Sequence, residues 1–207
     1  MLSTIKRRLE EVRGILDRPE ATEVRARQLV QEGIIGIQYG SASNFFGAGW
    51  VNVDLNFSNE ELKNSNCLKF DLTGRHPFPD ACFRFGYAED FLEHLDQDQS
   101  LRFLIEARRT LKPGGVLRLS FPGLEGVLKK HYQPPNFDGA ALASREAYSM
   151  WGHKHFYSRG ELEITAIALG FKAVRFESHG HTQYAELRGV DSRPDQAQLN
   201  TYVELTA

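Results

Sequence analysis

The spacing of hydrophobic positions changes along the chain. Over residues 2–16, Leu2, Ile5, Leu9, Val12 and Ile15 recur at helical spacing while charges fill the opposite face. Asp17, Arg18 and Pro19 interrupt the pattern, and proline suits the first position of a second helix, predicted over 20–32. From residue 34 short apolar runs take over, as buried parallel strands require. They predict strands at 34–39, 50–54, 67–71, 82–87 and 116–121, with a helix near 90–95 after an acidic turn. Residues 98–111 read as an amphipathic helix with Leu101, Leu104, Ile105, Ala107 and Leu111 on one face. Lys112-Pro113-Gly114-Gly115 should stop it. The stretch 123–157 is irregular and rich in aromatic and polar residues, as a substrate-covering insertion would be. A helix over 158–169, capped by Ser158 and stopped by Gly170, and strands at 171–177 and 201–205 complete the pattern.

Strand–helix alternation of this kind predicts an α/β fold: a doubly wound, mostly parallel seven-stranded sheet preceded by two N-terminal helices. The division is a helical extension over 1–33 and one domain over 34–207. The extension either covers a face or edge of the sheet or mediates a homodimer.

Composition narrows the functional classes. The 207 residues suffice for one domain with a substantial core. No apolar run approaches the roughly 18 residues of a membrane helix, and the charged amino terminus does not resemble a secretory signal. Cys67 and Cys82 form no CxxC pair. A cytoplasmic protein is expected. The net charge of −2 gives no general field for nucleic acid, and Lys6, Arg7 and Arg8 read as a solvated helix face.

In open α/β sheets ligands bind beyond the carboxyl ends of the strands. The candidates are therefore the residues that follow each strand: Gly40-Ser41-Ala42-Ser43-Asn44, Asp54, Asp71, Tyr87-Ala88-Glu89-Asp90 and Phe121-Pro122. A glycine after the first strand lets backbone approach a ligand, and a carboxylate ending the second can accept both hydroxyls of a ribose. Each has an ordinary reading as turn chemistry. Their repetition in order is what makes them informative.

The order resembles class I S-adenosylmethionine-dependent methyltransferases, specifically a bacterial branch with a short link between the first two strands. Gly40 to Asn44 with Gly49-Trp50-Val51-Asn52-Val53-Asp54 is similar to the family's first two motifs. So are Phe70-Asp71-Leu72, Pro77-Phe78-Pro79-Asp80, Tyr87 to Leu95, Leu111 to Leu117, Gly152-His153-Lys154-His155-Phe156-Tyr157-Ser158 and Ala168-Leu169-Gly170-Phe171. The Leu92-Glu93-His94-Leu95 and Leu111-Lys112-Pro113-Gly114-Gly115 pair is the most specific part. The resemblance implies a Rossmann-like methyltransferase fold with S-adenosylmethionine as cofactor. Gly40, Ser41 and Ala42 would contact its methionine part, Asp54 and Leu55 the ribose side, Asp71 and Leu72 the adenine, and Tyr87, Ala88 and Glu89 the region of the sulfonium. Two positions depart from the family. Ala42 stands where a second glycine is usual, which would narrow or shift the first loop. Arg84 replaces a common acidic residue and reads either as a surface change or as one that disturbs the neighbouring loop; with Ala42 it is what favours a silent module.

The implied reaction moves a methyl group to a small-molecule or saccharide acceptor, at oxygen. His94, just after the fourth strand's acidic turn, is the candidate base and Glu89 its catalytic companion; packing or helix capping is the other reading of His94. Glu93 reads as a solvated helix carboxylate facing away from His94. His153 with His155 and His179 with His181 have the His-x-His spacing of metal ligands, but no third ligand lies at compact spacing, so no metal is assigned. His131, Tyr132 and Tyr157 are candidates for an acceptor pocket. Gln133-Pro134-Pro135-Asn136-Phe137 lacks the leading residue of amino-methylating motifs and follows the wrong strand. The first loop is not GxGxxG, which disfavours a dinucleotide dehydrogenase. The alternative function is a catalytically silent binding module of the same fold.

Overall fold

The computed structural model describes residues 19–132 and 136–207. The expected helix over 2–16 and residues 133–135 lie outside the described residues. Helix α1 (Pro19–Gln31) opens on Pro19, as the fixed φ of proline favours. Seven strands follow: β1 (Gly36–Tyr39), β2 (Trp50–Val53), β3 (Cys67–Leu68), β4 (Phe83–Glu89), β5 (Leu111–Pro122), β6 (Ala173–Glu177) and β7 (Asn200–Thr206). They form one sheet in the order β3-β2-β1-β4-β5-β7-β6. The first five run parallel, and β7 lies antiparallel between β5 and β6. The strand order reverses between β1 and β4, where such sheets open a crevice.

Between the strands lie α2 (Gln97–Thr110), α3 (Leu124–His131), α4 (Phe137–Ser144) and α5 (Arg159–Ala168). Helix α2 is fixed at its start by a capping box between Asp96 and Gln99. Its inner face carries Phe103, Leu104 and Ala107; Leu101 and Ile105, expected there, are exposed. Helix α5 is capped by Ser158, and Gly170 leaves it in the left-handed conformation.

Four expected elements differ. Strand β3 ends at Leu68 rather than 71, because the Asp71 carboxylate accepts from the backbone N–H and hydroxyl of Thr73 and turns the chain. Helix α2 ends at Thr110, just before Lys112 to Gly115 as expected, but the strand expected from 116 already begins at Leu111. Leu111 pairs with Phe83 and Val116 with Phe85, so a bulge with Gly114 at φ 76° absorbs the extra residues. The segment after β4 is a single 3₁₀ turn, Leu92–His94. The stretch expected to be irregular over 123–157 contains α3, α4 and a π-helical turn, Arg145–Met150.

Alternate strand positions build a core on each face of the sheet. Ile37, Tyr39, Val51, Val53, Ala88 and Leu119 pack on one side with α1, α2 and α5 residues such as Leu29, Phe103 and Leu162. On the other, Trp50, Phe85, Tyr87 and Val116 meet Leu187 and Val190 from the β6–β7 connection, with Phe46 from the β1–β2 loop against them. Among the described residues no helix is long and apolar enough to cross a membrane.

Candidate functional site

Strand register brings the predicted residues to one edge. Tyr39 pairs with both Val53 and Ala88, so the next residues, Gly40, Asp54 and Glu89, form a row astride the β1–β4 reversal. Gly40 and Ala42 both have positive φ, 63° and 44°. Ala42 therefore keeps the backbone shape that a glycine would take, at a cost of order 1–2 kcal/mol. The shape is held from below: Asp54 Oδ2 accepts from Ala42 N at 2.9 Å and Oδ1 from Asn56 N at 2.7 Å. Asp54 is buried, yet each oxygen can accept a further hydrogen bond. Ser41 is also buried, and its hydroxyl has no partner. Leu55, next to Asp54, leaves 47% of its surface exposed.

The other predicted contacts are placed less uniformly. Asp71 is exposed, two residues past the row, with Oδ1 committed to Thr73, while Leu72 is in the core. Tyr87 lies in the second core, its ring stacked on Phe46 at 5.5 Å, and burial pushes its hydroxyl far above the usual phenol range. Ala88 is in the first core. Glu89 accepts from the backbone N–H of Ser192 at 3.0 Å and from its hydroxyl. Next to it, Asp90 adopts φ 47° and bonds Arg193 and Asn200. Ser192 and Arg193 were not foreseen; they lie 103 residues from their partners, and no local pattern signals such a contact. Arg84 is on the surface and pairs with Glu186 at 3.3 Å.

Beyond β4 the 3₁₀ turn overturns the reading of Glu93. Its side chain is 1% exposed and neither carboxylate oxygen has a hydrogen-bond partner. Burial, with Asp90 nearby, holds its carboxyl well above the usual carboxylate range. Because a 3₁₀ turn is tighter than an α-helix, Glu93 Oε1 comes to 4.0 Å from His94 Nε2 instead of facing away. The Glu93 carbonyl accepts from the backbone N–H groups of Lys154 and His155, which fastens the 153–155 segment here. His153 and His155 then part company. His153 meets the His94 ring edge-on at 4.9 Å, whereas His155 Nε2 lies 3.0 Å from Glu161. Burial lowers the His153 pKa from its ordinary value, with His94 adding to the effect. His179 packs on Tyr202, and the His181 carbonyl accepts from Arg118.

Glu93, His94 and His153 line a cavity of about 240 Å³ with His131, Trp151 and Phe156. His131 thus sits where an acceptor pocket was expected. Tyr132 packs against the small core behind it, and Tyr157 belongs to the main core instead.

With this geometry in place, relatives can be compared. Residues 21–119 match the family model of a methyltransferase domain. A crystal structure of an S-adenosylmethionine-dependent methyltransferase from Mesorhizobium loti aligns at 16% identity and TM-score 0.55, over 84% of this chain and 91% of that one. The chain has the class I methyltransferase fold. An S-adenosylmethionine-dependent methyltransferase from Thermotoga maritima shares this methyltransferase fold over 100% of this chain and 99% of its own, at 18% identity and TM-score 0.53. The Haemonchus contortus phosphoethanolamine N-methyltransferase 2, solved with phosphomonomethylethanolamine and S-adenosylhomocysteine, shares it over 84% of this chain and 48% of its own, at 15% identity and TM-score 0.53. No curated protein matches the sequence significantly. The row Gly40–Asp54–Glu89 lies at the carboxyl edge of the strands, where open α/β sheets bind ligands.

Proposed function

We propose that the chain transfers a methyl group from S-adenosylmethionine to a hydroxyl oxygen of a small-molecule or saccharide acceptor. One observation carries this reading: Gly40, Ser41 and Asp54 meet at the strand-order reversal, with a histidine-lined cavity beyond β4. The residues suit the cofactor. Asp54 retains acceptor capacity for two ribose hydroxyls, the Ser41 hydroxyl is buried without a partner, and Leu55 offers apolar surface beside them. Asp71 takes the adenine end, while Leu72, expected beside the ring, is instead packed in the core. Tyr87 and Ala88 form the wall behind the reacting end, while Glu89 anchors the Ser192 turn across it.

When bound, S-adenosylmethionine supplies a methyl group already activated by its sulfonium. The chain's own task is to hold the acceptor oxygen about 3–3.5 Å from that carbon and to exclude water. His94, whose side chain is 43% exposed, takes the hydroxyl proton on Nε2.

Calorimetry with S-adenosylmethionine and S-adenosylhomocysteine tests the first step. Both should bind, and Asp54→Ala should weaken them at least tenfold; unchanged affinity refutes the ribose assignment. His94→Ala should lower turnover of an identified acceptor by about 10²–10⁴-fold. Full turnover would remove His94 as the base. The second reading, a silent binding module, draws on the Phe91 ring, which lies 2.7 Å from where a Cβ on Gly40 would sit and so covers one side of the first loop. No binding of either nucleoside at millimolar concentration would favour it.

A further inference from the structure

The Glu93 carboxylate presents an unusual combination. It is almost fully buried, both oxygens lack hydrogen-bond partners, and the imidazoles of His94 and His153 lie beside it, while the nearby Arg193 is paired with Asp90. A buried polar group left without a partner is destabilising, more so when charged. His94 does not repay that cost, since 4.0 Å exceeds hydrogen-bond reach. Nor does His153, whose buried Nδ1 has no partner either. Three groups with lone pairs therefore converge, and the nearby Asp90–Arg193 pair is already satisfied within itself.

We propose that Glu93, His94 and His153 form a binding site for one divalent transition-metal ion of the zinc and cobalt class, open to the 240 Å³ cavity. Two histidines and one carboxylate with positions left open is a donor set that such ions accept. One ligand atom from each residue lies within 4.8 Å of the others. Ligands about 2.1 Å from a tetrahedral ion stand roughly 3.4 Å apart, so the widest pair must close by up to about 1.4 Å. The half-exposed His94 ring can supply that movement by rotation about its side-chain bonds. The backbone bonds from Lys154 and His155 to the Glu93 carbonyl keep the two parts of the site together, although His153 lies far along the sequence. His155 is excluded by its own partner, Glu161.

The site stands independently of methyl transfer, and in the metal-loaded protein His94 would be a ligand instead of a free base. The test therefore uses neither nucleoside nor acceptor. Chelator-treated, untagged protein is titrated with Co²⁺ alone, followed by calorimetry and by visible d–d absorption. One ion per chain should bind with a new visible band, and Zn²⁺ should displace it. Glu93→Gln and His153→Ala should each weaken binding at least tenfold, and His155→Ala should leave it unchanged. Circular dichroism checks each fold; if Glu93→Gln does not fold, His153→Ala decides. Failure of the wild type to take up Co²⁺ at millimolar concentration overturns the proposal, as does binding that survives both ligand substitutions.

Discussion

His76 shows how one residue ties pH to the loop that carries Asp71 and Leu72. Its ring is 1% exposed, and Nε2 lies 3.0 Å from the Leu72 carbonyl, which can only accept, so the proton resides on Nε2. Nδ1 is buried without a partner, and the ring packs against Tyr39 and Phe70. Burial pushes the pKa down to about 4, from an ordinary 6.5. The folded value is depressed, so the unfolded chain binds the proton more readily over the window between these values. Stability is therefore full above pH 6.5 and declines as pH falls toward 4. This one group should cost about 2 kcal/mol between pH 7 and pH 5. Urea unfolding at the two pH values, on wild type and His76→Phe, isolates it: the variant's stability should fall by that much less. Equal declines would mean that His76 does not titrate in this window.

At the scale of elements, helix α2 depends on its first turn. Asp96 Oδ1 accepts from Gln99 N at 2.9 Å, and Gln99 Oε1 accepts in return from Asp96 N at 3.1 Å. The same Gln99 oxygen accepts from Lys154 Nζ, so the cap also steadies the segment bearing His153. Asp96→Ala should destabilise the fold by about 1 kcal/mol, read as a lower urea midpoint at unchanged slope. A change within error would place the cap outside the folded core's energetics. This helix and all seven strands were legible in the sequence because burial imposes a period of 3.6 on a one-sided helix and short apolar runs on strands covered on both faces. Boundaries failed where two local signals compete. Pro113-Gly114-Gly115 ends the helix as read, yet the strand expected only from 116 takes these residues in as a bulge; the apolar Leu101 and Ile105 lie one step off the buried stripe of α2. The candidate site divides in the same way. Gly40, Asp54 and Glu89 could be read because each follows a strand. The contacts of Glu93 with His153, and of Glu89 with Ser192, could not, because they join segments whose proximity depends on the finished fold.

At the scale of the molecule, one buried ion cluster connects the sheet to the segment over the site. Arg118 lies in β5, fully buried, between the apolar Leu117 and Leu119. Its Nε and Nη2 donate to the two oxygens of Asp191 at 2.9 and 2.6 Å, and Nη1 donates to Glu204 of β7 at 3.0 Å. The carbonyls of Ser178 and His181 accept its remaining bonds. Asp191 also accepts from Gly180 N, and it directly precedes Ser192 and Arg193, which hold Glu89 and Asp90. A single guanidinium thus fixes the β6–β7 connection that reaches the carboxyl edge. Burying such charges gains little over an apolar cluster, but breaking one member is expensive. Arg118→Ala should therefore cost about 3–5 kcal/mol, because it leaves Asp191 and Glu204 buried without their cation. Adding Asp191→Ala should cost less than the two single losses combined, since the second change removes one of the stranded carboxylates. Limited proteolysis should cut Arg118→Ala faster between residues 178 and 193 than wild type, at temperatures where both remain folded. A loss below about 1 kcal/mol, strict additivity in the double variant, or unaltered cleavage would each show that the connection is held by Leu187 and Val190 packing on the second core instead of by this charge.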